Sequence, residues 1–161
     1  MQSANSNNLK ILIDRYLPHN FLAEKMILNC LLINTEAIEI TVQNISADVF
    51  YFKNHREIYK AILIMYEKNI PIDILTLVTF LQDNGLLQKI GGIKVLIELL
   101  NQVPNLIYLE EYLQLIKDKY IRRSLIKIGY ETINSSYITS IPLEKILNEL
   151  ENTLFNLTSE I

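Results

Sequence analysis

The chain has little of what catalytic and extracellular folds usually need. One cysteine, Cys30, among 161 residues excludes a disulfide framework and points to a reducing compartment such as cytoplasm or plastid stroma. Four glycines and four prolines leave too little turn punctuation for a sandwich or barrel, so an all-α fold is expected. The glycines stand at positions 85, 91, 92 and 129, which cannot supply the G-x-x-x-x-G-K-[ST] phosphate loop. Nucleotide hydrolysis is therefore not expected on this chain. The two histidines, His19 and His55, are far apart, and neither lies in a cluster with zinc-ligand spacing. No catalytic, cofactor-binding or metal-binding residues are expected. The formal net charge of -3 lacks the basic excess by which a DNA-gripping domain displaces counterions. No apolar run approaches the roughly 20 residues of a membrane span. The opening MQSANSNN has no Lys or Arg ahead of its short apolar patch, which argues against a secretory signal.

What is present is globular: 50% hydrophobic and 20% charged residues, enough for one domain with a real core. Abundant Ile, Asn, Lys and Tyr fit an AT-rich coding genome. The densest signal lies in residues 50–81. Asn54, with Glu57 three residues later, reads as a capping box that starts a helix at His55. Its inward face should carry Ile58, Tyr59, Ile62, Met65 and Tyr66. Pro71 cannot continue that helix. Asp73 caps the next by accepting the amide near Thr76, leaving Ile74, Leu77, Phe80 and Leu81 to bury, with Gly85 as the stop.

Taken in order, residues 1–8 read as a polar tail and 9–17 as a short apolar piece. Asn20 caps a helix whose buried face is Leu22, Met26, Ile27, Cys30 and Leu31. A second helix spans 35–43 with Ile38 and Val42 inward. Gly91 and Gly92 allow a tight angle before a helix over 93–103, with Val95, Leu96, Leu99 and Leu100 apolar, closed by Pro104. Residues 109–134 read as one helix of about 26 residues, near 39 Å long. Pro142 then fits a first turn, and Leu143, Ile146, Leu147, Leu150, Leu154 and Leu157 follow at spacings of three and four. The organisation is an N-terminal tail (1–17), a compact multi-helix head (18–104) and a long helical hairpin (105–161), one structural domain overall.

Two paired helices bury one stripe each, yet the long helix is apolar on more than one side. A second stripe must be covered by another copy, by a partner, or by the chain's own head. The expected interface is Leu113, Ile116, Tyr120, Leu143, Ile146, Leu147, Leu150 and Leu154. The best nucleic-acid candidates are Lys119, Arg123 and Lys127, four residues apart on one face. Against them stands a solvated helix surface opposite Glu144, Glu149 and Glu151. His55 and Arg56 read as residues that hold the head together.

Phe50, Tyr51, His55, Arg56, Ile58 and Tyr59, followed by Pro71, Asp73, Thr76 and Leu77, resemble the FY...HR.IY and P.D..TL pattern of the amino-terminal domain of DnaB-type replicative DNA helicases. The likeness begins with Pro18, His19, Ala23, Glu24 and Leu28. It continues with Gly91, Gly92, Leu96, Pro104, Tyr112, Ile116, Arg123, Leu125, Ile126 and Phe155. The chain departs from the pattern at Leu22, Asn29 and Tyr108. The resemblance implies the front portion of a longer helicase, with ATP and Mg bound in a separate RecA-like motor. It further implies a homo-oligomer, dimers assembling into a trimer-of-dimers collar, that receives DnaG-type primase or a loader and meets DNA through the parent protein. The lone cysteine and the AT-rich type of composition lead to plastid stroma or bacterial cytoplasm as the expected location. A helicase-binding domain of a primase and a stand-alone helical DNA-binding module are the alternative readings.

Overall fold

The computed structural model describes residues 17–161; the tail and nearly all of the apolar piece expected over residues 1–17 lie outside it. Among the described residues there are seven α-helices and no strand. Residues cluster into two units, and the boundary falls inside the longest helix, between Asp118 and Lys119, instead of at Pro104.

The His19–Asp118 unit holds the main core. Helix α1 (Phe21–Ile33) starts where the Asn20 side chain accepts a hydrogen bond from the Ala23 amide at 2.9 Å. Its buried face is Ala23, Ile27, Leu28, Cys30, Leu31 and Leu32. Leu22 points to solvent and Met26 is only half-buried, contrary to expectation. Apolar residues surround this helix on most sides, so periodicity could not fix its rotation. The polar Glu24 and Asn29 are the ones turned inward. Asn29 donates to the Gln102 carbonyl and so ties α1 to the segment 73 residues later.

Asn34 both ends α1 and begins α2 (Thr35–Asn44): its amide donates to the Cys30 carbonyl, and its side chain accepts from the Glu36 amide. Ala37, Ile38 and Thr41 are buried on α2, while Val42 is exposed. Burial of Thr41 is tolerated because its hydroxyl donates to the Ala37 carbonyl at 2.7 Å, one turn back.

Helix α3 (Lys53–Glu67) begins two residues earlier than the Asn54 cap would place it. Asn54 lies inside the first turn, and no side chain caps from the N-cap position, Phe52. Glu24 of α1 instead holds the segment ahead of the helix: its carboxylate accepts the Tyr51 amide at 3.0 Å and the Phe52 amide at 3.4 Å. Ile58, Tyr59, Ile62 and Met65 are buried as expected; Tyr66 is not. The helix ends with Asn69 at φ 56, a left-handed position Asn tolerates, and the Ile70 amide returns to the Met65 carbonyl.

Helix α4 (Ile74–Asp83) opens on the expected cap. The Thr76 amide donates to Asp73 Oδ1 at 2.8 Å, and the Asp73 amide donates to Thr76 Oγ1 at 2.9 Å. Leu77 and Leu81 are fully buried; Ile74 and Phe80 are half-buried. Gly85 at φ 68 lets the Leu86 amide reach the Leu81 carbonyl, closing the helix. Gly91, at φ 106, is where a Cβ would stand 2.6 Å from Val95 Cγ2 at the entry to α5 (Ile93–Leu100). Leu96 and Leu99 of α5 are buried, Val95 is half-buried, and Leu100 faces outward. This helix stops three residues short of Val103.

Helix α6 (Leu109–Tyr137) is 29 residues long and starts where expected. Its first part belongs to the head unit, where Leu109, Leu113 and Ile116 are buried at spacings of four and three. The second unit comprises Pro18, Leu17 and Lys119–Ile161, with α7 (Leu143–Ser159) following the turn. Pro142 is the N-cap of α7 and not a first-turn residue; its carbonyl accepts from Lys145 and Ile146.

Candidate assembly interface

The sequence motif around His55 and Arg56 turns out to be internal bracing. Glu24 and His55 are each 1% exposed, and His55 Nδ1 lies 2.9 Å from Glu24 Oε1. Phe21 stacks on the His55 ring at 5.3 Å, and the His19 ring stacks on Tyr51 at 4.7 Å. The Arg56 guanidinium donates to the carbonyls of Phe50 and Tyr51 at 3.0 and 2.8 Å. Tyr59 completes the brace by donating its hydroxyl to the Ile45 carbonyl at 3.0 Å, and burial pushes its pKa up to about 12. Both faces of the short connection before α3 are thus held, its amides by Glu24 and its carbonyls by Arg56. The contribution of Glu24 was not legible from its neighbours in sequence, because its partners lie 27 to 31 residues away.

In the second unit, α6 and α7 flank a groove of about 180 Å³. Ile128, Glu131, Thr132 and Ser135 line it from α6, and Ile146, Glu149, Leu150 and Thr153 from α7. Small-molecule sites usually need at least about 300 Å³, so this groove is a seam between helices. Among the described residues no group of three His, Cys, Asp or Glu side chains is placed to hold a metal ion. No helix among them is long and apolar enough to cross a membrane.

The expected interface residues fall into three sets. Leu113 and Ile116 are buried and cannot meet a partner, because the first turns of α6 belong to the head unit. Ile146 and Leu150 line the seam, and Tyr120 is half-buried with the Arg123 guanidinium 5.9 Å from its ring. Leu143, Leu147 and Leu154 are 70%, 49% and 37% exposed, spaced by four and seven residues along α7. They form an uncovered apolar stripe on that helix. Phe155, also exposed, flanks it and is an addition to the expected set.

The basic residues divide as well. Arg123 donates from Nη1 to the Pro18 carbonyl at 2.8 Å, which gives it a structural task. Lys119 is half-buried and Lys127 exposed.

Residues 16–118 match the model of the DnaB-like helicase N-terminal domain. The chain belongs to this family. The matched DnaB-like region ends at Asp118, where the first structural unit also ends. A probable replicative DNA helicase of Trieres chinensis is 65% identical over all 161 residues, which make up 35% of that relative. The replicative DNA helicase DnaB of Synechocystis sp. is 36% identical over 88% of the chain and 16% of its own length. The DnaB-like chain therefore spans about a third or less of these curated relatives. The crystal structure of the N-terminal domain of DnaB helicase from Mycobacterium tuberculosis superposes with a TM-score of 0.81, covering 88% of this chain and 99% of that one at 24% identity. That likeness establishes the shared fold. Family membership displaces the reading as a helicase-binding domain of a primase.

Proposed function

We propose that this DnaB-like domain is a non-catalytic assembly and docking element of a replicative DNA helicase. The observation that carries the reading is the uncovered stripe of Leu143, Leu147 and Leu154 on α7. Burying each such side chain contributes about 1.5–3 kcal/mol, so the stripe favours association with another surface. Its first occupant is a second copy of the chain, in dimers that build the collar of a hexamer. A DnaG-type primase or a helicase loader docks on the assembled collar. The unwinding reaction, with ATP and Mg, belongs to a motor elsewhere in the parent protein, through which DNA is engaged. Three things support this: the relatives are replicative DNA helicases, they are much longer than this chain, and its sequence has no phosphate loop. Relatives in a diatom and in Synechocystis support plastid stroma or bacterial cytoplasm as the location.

Calorimetric titration of the chain with a DnaG-type primase tests the docking role. Saturable binding that weakens at least tenfold in Leu147→Asp supports it, and no heat of binding at any ratio contradicts it. The stand-alone DNA-binding alternative requires salt-sensitive binding to single-stranded DNA that is lost in Lys119→Ala with Lys127→Ala.

A further inference from the structure

Helix α6 contains a single glycine, Gly129, deep inside its 29 residues. Glycine there weakens a helix relative to alanine, because its backbone loses more freedom on folding. Its own chain gives it no task. Gly129 is not among the glycines at positive φ, it is exposed, and a Cβ built on it meets nothing within 4 Å. A glycine kept inside a helix without a local reason points to close packing against something else.

Gly129 lies beside the apolar stripe of α7. At about 100° per residue, Leu125, Ser136 and Gly129 stand about 70°, 90° and 110° round α6 from the middle of the seam with α7. Leu143, Leu154 and Leu147 stand at about the same three angles round α7, in the same sense along the chain. The short turn from Ile138 to Pro142 makes the helices antiparallel, so equal rotations bring all six residues to one side of the hairpin. All six are exposed. On this face α7 raises a ridge of leucines, and α6 leaves a gap at Gly129.

A face that carries both ridge and gap is complementary to itself, as a two-fold contact requires. Its edges agree with this. Arg122 borders the face on α6 and Glu151 on α7, so a two-fold axis along the helices sets the basic edge of each copy over the acidic edge of the other.

We propose that Gly129 is the point of closest approach between the hairpins of two copies, with the leucine ridge of α7 in one copy lying over Gly129 of α6 in the other. This rests on the self-association proposed above and assigns it a second, size-selective residue on α6.

Sedimentation velocity on the full 161-residue chain tests it. Gly129→Leu, with unchanged helical circular dichroism, should weaken self-association at least tenfold. In the Leu147→Asp background, where copies are held apart, Gly129→Ala should instead raise the thermal midpoint, because the added methyl meets nothing in its own chain. Equal association of the native chain and Gly129→Leu, with Leu147→Asp dissociated, overturns the inference and leaves the proposed self-association standing. If Gly129→Leu in that case weakens binding of a DnaG-type primase, the face belongs to that partner. A lower thermal midpoint for Gly129→Ala in the Leu147→Asp background also overturns the inference, by giving the glycine a task within one chain. A native chain that sediments as one copy at every concentration removes both this inference and the self-association beneath it.

Discussion

His55 Nδ1 of α3 and Glu24 Oε1 of α1 lie 2.9 Å apart with both side chains out of solvent, and the same carboxylate holds two backbone amides ahead of α3. Removing either partner leaves buried polar groups unmatched. Glu24→Ala should cost about 3 kcal/mol or more, since three donors lose their acceptor, and His55→Ala somewhat less. Denaturant unfolding monitored by circular dichroism reads the loss; a change below about 1 kcal/mol for Glu24→Ala would show that the brace is dispensable.

Two glycines at positive φ, 68° at Gly85 and 106° at Gly91, should respond differently to alanine. Gly85 has nothing within 4 Å of a built Cβ, so Gly85→Ala carries only the left-handed backbone cost of about 1 kcal/mol. At Gly91 the new methyl would meet Val95 Cγ2 at 2.6 Å, and crowding adds about 1–3 kcal/mol. Thermal melts of the two variants give the order directly, and equal losses would refute the packing argument at Gly91.

Alkaline stability should follow Tyr59. Its pKa is raised from 10.0 to about 12 by burial, so the folded state holds the phenol proton more tightly than the unfolded chain. Its contribution is fully present below pH 10 and is lost as pH rises toward 12. Urea midpoints measured from pH 8 to 11 should fall more steeply in the native sequence than in Tyr59→Phe, which lacks the proton. Parallel curves would exclude Tyr59 as the source.

Much of the head was legible because its signals are local. The Asp73 and Thr76 cap, the Asn20 cap and the inward face Ile58, Tyr59, Ile62 and Met65 each depend on residues within a few turns of one another. What could not be read depends on distant partners. Glu24 holds the segment ahead of α3 from a different helix, and Asn29 is buried with its side-chain amide on the Gln102 carbonyl. The rotation of α1 was hidden by apolar residues on most of its sides. For the interface, spacing identified the apolar positions of α6 and α7 but not which unit each turn joins. Leu113 and Ile116 therefore look in sequence like Leu143 and Leu147, yet the first pair is buried and the second exposed.

The central claim, that the α7 stripe joins copies of this domain, is tested most directly by light scattering coupled to size-exclusion chromatography. The native chain should elute with a mass of at least twice its 18.7 kDa at high micromolar concentration, and Leu147→Asp, with unchanged helical circular dichroism, should return it to one copy. A mass of one copy at every concentration, or a dimer indifferent to Leu147→Asp and Leu143→Asp together, would contradict the account.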